Sequence, residues 1–327
     1  MPDQKEKASE RASLAFQARM GAKVAYEYAY FKGRRVLRRA KPKSVLRRTG
    51  QVVVFDMDET LLRANTILEL FKLVYGEKEG KEIIGRYVEM AKTGKCSSDQ
   101  AMLLGYEKIL SENRVTRSDA VKLVDLLERQ GKIRTDLVEL AQALKAEGRT
   151  VVLASRMSQT IADVIAERYG FDFAVGTREE FSEDGGIKRV KELVGEKNGR
   201  VRARARGGKE GSGKSYPVVK KLTRVRRELK KRGMRCRTKR MTLVSDGYDD
   251  IKAFKQAGIS IMLAPPPESR DFTHNLSLKL KLADAVINPG PRAVQELELR
   301  LREPETIRLP RRRFIERLRK FTPRRRA

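Results

Sequence analysis

The sequence predicts an α/β fold: a parallel sheet, interrupted by a helical unit and flanked by strongly basic segments. Three observations lead there. Short apolar runs rich in β-branched residues alternate with amphipathic helical stretches, the order that builds a parallel sheet. A long stretch between the first two such runs is helical throughout. The positive charge is gathered into three segments rather than spread along the chain.

Taken in order, residues 9–32 have helical periodicity and end on Tyr26, Tyr28, Tyr30 and Phe31, a face suited to docking against the body of the protein. Residues 51–55, QVVVF, form a short apolar run of the kind buried in a parallel sheet. From about Ala64 to Glu147 the pattern is helical, with Ser, Thr or Asp at several starts and Gly at several ends. A second apolar strand, TVVLA at 150–154, precedes a helix, and Phe171 to Val175 suggests a third strand. PVVKKLTRVRRELKKRG reads as a basic helix. Strands at 241–245, 259–263 and 284–287, with a helix after the first of them, complete the alternation.

The formal net charge is +30. Residues 1–50 carry +10, residues 188–240 carry +18 and residues 308–327 carry +9, so the rest is about −7. A slightly acidic body with three basic appendages results. Such charge suits a polyanion, RNA or the ribosome first, through counterion release. The run RRRFIERLRKF also suits an anionic membrane surface. No transmembrane segment is expected, because no stretch approaches the roughly 18 apolar residues that span a bilayer. The charged N-terminus lacks the apolar core of a signal peptide, and two distant cysteines do not make a disulfide framework. A cytoplasmic protein is expected. With a single histidine, His274, catalysis is pushed toward carboxylates.

Three apolar strands run directly into polar residues: into Asp56, into Ser155, and into Ser245 and Asp246. Ligands of open α/β sheets bind at these carboxyl ends. Asp56 and Asp58 straddle Met57, so one carboxylate can attack phosphorus while the other handles the proton. Asp246 and Asp250 suit magnesium, which prefers oxygen ligands, and Ser155 with a lysine can neutralise phosphoryl oxygens.

These residues resemble the haloacid dehalogenase superfamily. Its first motif, DxDx[TV], is matched by Asp56-Met57-Asp58-Glu59-Thr60, its second by Ser155, and its fourth by Asp246 and Asp250 in SDGYDD. The similarity spans roughly 51–187 and 214–300. It implies a Rossmann-like parallel sheet core at 51–63 and 149–307 with a basic insertion at about 188–240. It also implies an inserted α-helical cap at 64–148, beside basic N-terminal (1–50), internal and C-terminal (308–327) extensions. Asp56 is then the nucleophile and Asp58 the general acid/base. Mg2+ is held by Asp56, Asp246, Asp250 and the Asp58 carbonyl, and phosphate by Thr60, Ser155 and a third-motif lysine, assigned to Lys214 with Lys209 and Lys220 as rivals. Within the superfamily the chain resembles the phosphoserine phosphatase branch, which implies a magnesium-dependent phosphatase acting on a small phosphorylated substrate through an aspartyl phosphate. Asn65 stands where the branch has a Glu and Gly105 where it has a carboxylate-gripping Arg, so a substrate other than phosphoserine is expected. Asn65 and Arg156 are the candidate substrate contacts.

Two other readings compete. GKEGSGKS, Gly208 to Ser215, satisfies the P-loop pattern of a nucleotide-dependent kinase, but VRARARG before it is too charged for the central strand that a P-loop follows. The basic segments alternatively define an RNA- or ribosome-associated protein with a secondary enzyme body.

Overall fold

Successive side chains of a strand point to opposite faces, so a strand that is apolar at every position must be covered on both. β1 (Val52–Asp56) meets that requirement: Val53 and Phe55 join one buried cluster, Val52 and Val54 another. A computed structural model describes residues 50–112, 115–196, 198–203, 213–247, 250–267 and 282–308, with isolated positions within 22–33 and at 275 and 278. Most of the N-terminal extension, Lys209, His274 and residues 309–327 lie outside the described residues.

After β1 come five helices: α1 (Thr66–Tyr75), α2 (Glu77–Lys92), α3 (Ser98–Glu112), α4 (Arg117–Arg129) and α5 (Thr135–Ala146). The chain then continues through β2 (Thr150–Ser158), α6 (Gln159–Arg168), β3 (Phe173–Phe181), β4 (Ile187–Gly195), β5 (Gly199–Arg202) and β6 (Ser215–Lys220). It closes with α7 (Lys221–Lys231), β7 (Met241–Ser245), α8 (Ile251–Gln256), β8 (Ile259–Leu263), β9 (Ala285–Ile287) and α9 (Ala293–Arg302).

The nine strands form one sheet in the order β5-β6-β4-β3-β2-β1-β7-β8-β9. From β3 to β9 every pairing is parallel. β1 lies at the centre, with Phe55 opposite Leu153 on one side and Val244 on the other. One face is covered by α5, α6 and α9, the other by α7 and α8. Phe31, in the N-terminal helix, is fully buried in the second of these layers, and Lys255 lies over the rings of Tyr26 and Tyr30. Of the aromatic stretch, Phe31 docks on the body, whereas Tyr26 is exposed and Tyr28 lies outside the described residues.

Two findings differ from the expectation. The third strand is longer than its apolar stretch: β3 turns from β2 to pair antiparallel with β4 over Arg178 to Phe181. The basic segment is also no appendage. β4, β5 and β6 extend the sheet beyond β3, and α3 packs Leu103 and Tyr106 on Val190, Leu193 and Val218 of that edge. Its lysines and arginines alternate with valines that face inward, and the charge count registers the former while the sheet uses the latter. The helical stretch shares the same continuity, since Phe71, Tyr87 and Leu123 belong to one buried cluster with Phe55 and Leu153.

Candidate active site

The site grows from the carboxyl ends of β1, β2 and β7. Past Asp56 the chain makes an irregular helical turn (Met57–Leu61), in which the Leu62 N–H returns to the Met57 carbonyl at 2.9 Å. Glu59 takes a left-handed conformation there, φ +55°, which costs a non-glycine residue about 1 kcal/mol or more. The turn directs Asp58 and Thr60 back over the sheet.

Asp58 is held by two partners. The Thr66 N–H, at the start of α1, donates to Oδ1 at 2.6 Å, and the Ser155 hydroxyl donates to Oδ2 at 3.2 Å. Burial nevertheless pushes the Asp58 carboxyl up from its ordinary value, with those hydrogen bonds opposing it. Ser155 in turn accepts the Met157 N–H at 2.9 Å.

Asp56 is buried, and Lys221 meets it. Lys221 Nζ lies 2.6 Å from Asp56 Oδ1 and 2.7 Å from Asp250 Oδ2, with the lysine only 4% exposed. The Ser245 hydroxyl lies within hydrogen-bond reach of three carboxylates: Asp250 Oδ2 at 2.7 Å, Asp56 Oδ2 at 3.3 Å and Asp246 Oδ1 at 3.4 Å. Thr60 accepts the Asp246 N–H at 2.8 Å. Its hydroxyl is thus engaged in fixing the loop after β7.

Burial lowers the proton affinity of the Lys221 amine, but Asp250 and Asp56 more than offset it and keep the ammonium charged. Burial pushes Asp56 well up, Lys221 pulls it down, and Asp250 and Asp246 push it up again. The two directions reflect one imbalance. Three acids, Asp56, Asp246 and Asp250, gather around the one Lys221 ammonium, a surplus of carboxylate. That surplus matches a divalent cation, and carboxylate oxygens are the donors magnesium prefers. Among the described residues these acids do not close into a ready coordination shell and are drawn instead to Lys221 and Ser245. By donor type and charge, Asp56, Asp246 and Asp250 fit such an ion.

The lysine assignment is therefore corrected. Lys214 is exposed beside the β5–β6 hairpin, and its carbonyl accepts the Ala203 N–H. Residues 217–220, which the sequence predicts as the start of the basic helix, belong to strand β6, and the helix begins at Lys221, one residue past the rival Lys220. The apolar pair Val218-Val219 directly before Lys220-Lys221 is the signal of a strand that ends at this lysine pair. The same strand removes the P-loop, since Lys214-Ser215 leads into β6 and not into a helix.

The other candidates are also placed. Asn65 caps α1, its Oδ1 accepting the Leu68 N–H at 3.2 Å. Arg156 Nη2 pairs with the buried Asp99 of α3 at 2.6 Å, and Asp99 also accepts the Glu196 N–H at 3.3 Å. Gly105 faces Phe71, while the adjacent Tyr106 hydroxyl donates to Glu179 at 3.3 Å. Asp99, Tyr106, Glu179 and Lys221 were not anticipated.

Residues 53–255 match the model of the haloacid dehalogenase-like hydrolase family. A phosphoserine phosphatase of Archaeoglobus fulgidus is 25% identical over 222 residues, which cover 68% of this chain and 54% of that protein. The chain thus spans about half the length of this curated relative. Among solved structures, a probable phosphoserine phosphatase from Vibrio cholerae superposes with TM-score 0.52 at 16% identity, covering 79% of this chain and 67% of that one. A HAD family hydrolase from Salmonella enterica serovar Typhi superposes with TM-score 0.50 at 14% identity, covering 68% and 65% respectively. These likenesses establish a shared fold.

Proposed function

The chain belongs to the haloacid dehalogenase-like hydrolase family, and on that footing we propose that it is a magnesium-dependent phosphatase that hydrolyses phosphate monoesters through an aspartyl phosphate on Asp56. The observation that carries this reading is the convergence of Asp56, Asp250, Lys221 and Ser245 at the ends of β1 and β7. Asp56 attacks phosphorus and the ester oxygen leaves. Asp58, whose carboxyl burial keeps up, delivers its proton to that oxygen. Asp58 then takes a proton from water, which attacks phosphorus and releases phosphate and the Asp56 carboxylate. Lys221 and Ser155 hold phosphoryl oxygens, and Thr60 keeps Asp246 in place. Magnesium, when bound by Asp56, Asp246, Asp250 and the Asp58 carbonyl, supplies charge neutralisation of the phosphoryl group.

The helices between β1 and β2 serve as a cap that limits water at the acyl phosphate. Phosphoserine is not the expected substrate, because Asn65 is spent on its helix cap and Gly105 offers no side chain to a carboxylate. Among the described residues no helix is long and apolar enough to cross a membrane, and a cytoplasmic setting is part of this proposal.

The test is turnover of p-nitrophenyl phosphate by the purified chain with magnesium. Wild type is expected to turn over, EDTA to stop it, and Asp56→Asn to abolish it. Undiminished turnover by Asp56→Asn would rule the mechanism out.

A further inference from the structure

The end of α7 and the chain that joins it to β7 carry charge that the catalytic site does not use. From Lys230 to Arg240 there are seven basic residues and no acid. Lys231 and Arg232 pair with Glu228 within α7. Lys230, Arg235, Arg237 and Arg240 are exposed and make no ion pair with any described residue. The connection is anchored beneath them. Met234 and Cys236 pack against the second buried cluster, so Arg235 and Arg237 turn outward together at the spacing of an extended strand. A short 3-10 turn, Thr238–Arg240, ends the segment, and the Gly258 N–H donates to the Thr238 carbonyl at 3.1 Å and the Met241 carbonyl at 2.8 Å.

Aromatic rings stand beside this cationic segment. Lys239 Nζ donates to the Lys255 carbonyl at 2.7 Å, and the Tyr30 hydroxyl donates to the same carbonyl at 3.4 Å. The Lys255 ammonium lies 4.9 Å from the centroids of both the Tyr26 and Tyr30 rings and pairs with the buried Glu27. Tyr26 is 69% exposed and Tyr30 37%, although Phe31 beside them is wholly buried. Phe31 and Glu27 thus fix the N-terminal helix while two of its rings face outward. The surface lies at the amino end of β7, at the far edge of the sheet from the carboxyl ends that carry Asp56. Its occupant must be anionic and must offer flat groups to stack. A second copy of this chain, at net +30, is repelled. Residues 34–48, with eight basic side chains and no acid, do not supply the missing anions either. A single nucleic-acid strand meets both demands, since its phosphates take Arg and Lys and its unpaired bases stack on aromatic rings.

We propose that this face binds single-stranded nucleic acid without reading its sequence, by base stacking on Tyr26 and Tyr30 and phosphate contacts from Arg235, Arg237 and Arg240. A duplex presents no free base faces to the rings and is the poorer ligand. The inference stands apart from the phosphatase reading, because a strand held here leaves the Asp56 site open to its own substrate.

The test is fluorescence anisotropy of labelled oligouridylate and oligothymidylate, titrated with the full chain at several salt concentrations. Tyr26→Ala is expected to weaken binding by about fivefold or more, the effect of losing one stacked base, and Tyr26→Phe to leave it unchanged. The double variant Arg235→Gln, Arg237→Gln should reduce the slope of log affinity against log salt by about 1.4, the value for two phosphates of a single strand. Each variant should melt at the wild-type temperature, which separates lost contacts from lost folding. Tighter binding of oligouridylate assigns the face to RNA and tighter binding of oligothymidylate to DNA, and either supports the proposal. Wild-type binding that neither Tyr26→Ala nor the double variant weakens belongs to other basic segments and overturns it. Wild type that binds neither strand, or binds phosphatidylserine vesicles alone, overturns it as well. Turnover of p-nitrophenyl phosphate, measured in the same variants, should match wild type, so that failure of the phosphatase reading shows separately.

Discussion

Lys221 Nζ lies 2.6 Å from Asp56 Oδ1, although 165 residues separate the two in the chain. Three strands separate β6 from β1, and the contact is made by α7, whose Leu222 and Val225 share a buried cluster with Val54, Val152 and Leu243 and so hold the lysine at its first position by the central strands. Lys221→Met should lower kcat/KM on p-nitrophenyl phosphate by about 10²–10³-fold, the usual effect of losing one preorganised partner of a developing charge. It should also destabilise the magnesium-free protein by about 3–5 kcal/mol, because Asp56 and Asp250 would be left buried without a cation. Lys214→Ala should alter neither quantity. Turnover lost in Lys214→Ala and kept in Lys221→Met would reverse the assignment.

That lysine also shows how far the sequence could be read. Asp56, Ser155, Asp246 and Asp250 were legible because each follows an apolar strand within a residue or a short loop, and strand ends in a parallel sheet converge. The lysine follows β6, whose SYPVVK is short, contains a proline and runs unbroken into a basic helix. Its periodicity is lost in the charge of its neighbours. The pairing of β6 with β4 begins only at Val218, so Pro217 has no ladder partner on that side, where a proline is tolerated. The Arg156–Asp99 pair was out of reach for another reason. It joins a helix to a strand end across the fold, and no local pattern announces which arginine meets which aspartate.

That pair ties α3 to the rim of the site, and Gly195 makes room for it. A Cβ on Gly195 would stand 2.6 Å from Val218 Cγ1 and 2.7 Å from Asp99 Oδ1. Gly195→Ala should therefore displace Asp99 and cost about 1–3 kcal/mol of stability. Asp99→Ala should cost more, about 3–5 kcal/mol, since it removes the buried carboxylate that pairs with Arg156 and accepts the Glu196 N–H. Urea unfolding with an unchanged m-value checks both, and a Gly195→Ala protein as stable as wild type would contradict the close approach.

Asn65 offers a smaller, cleaner case. If its side chain serves as the cap of α1, Asn65→Ala should cost about 1 kcal/mol and Asn65→Asp should recover most of it. Since the neighbouring Thr66 N–H donates to Asp58, fraying of this helix end should also shift the acidic limb of the kcat/KM profile. A variant that keeps full stability but loses affinity for one substrate alone would make Asn65 a substrate contact instead.

Burial raises the Glu179 carboxyl to about 7, against the hydrogen bonds that favour the charged form, among them those from Ser158 and the Tyr106 hydroxyl. In the unfolded chain a glutamate ionises near 4.3. Because the folded value is the higher one, the protonated side chain contributes stability in full below the unfolded value. That contribution is lost as pH rises through about 7. Ionised Glu179 at pH 8 should thus cost about 2 kcal/mol, less than the full linkage value because the side chain keeps some contact with solvent. Glu179→Gln keeps an acceptor for Tyr106 and removes the charge. It should raise Tm at pH 8 by several degrees, and by much less at pH 5, where wild-type Glu179 is already neutral. The comparison is made by thermal melts of both proteins in matched buffers with EDTA, so that metal binding does not enter. An equal gain at the two pH values would mean that packing, not ionisation, distinguishes the two side chains.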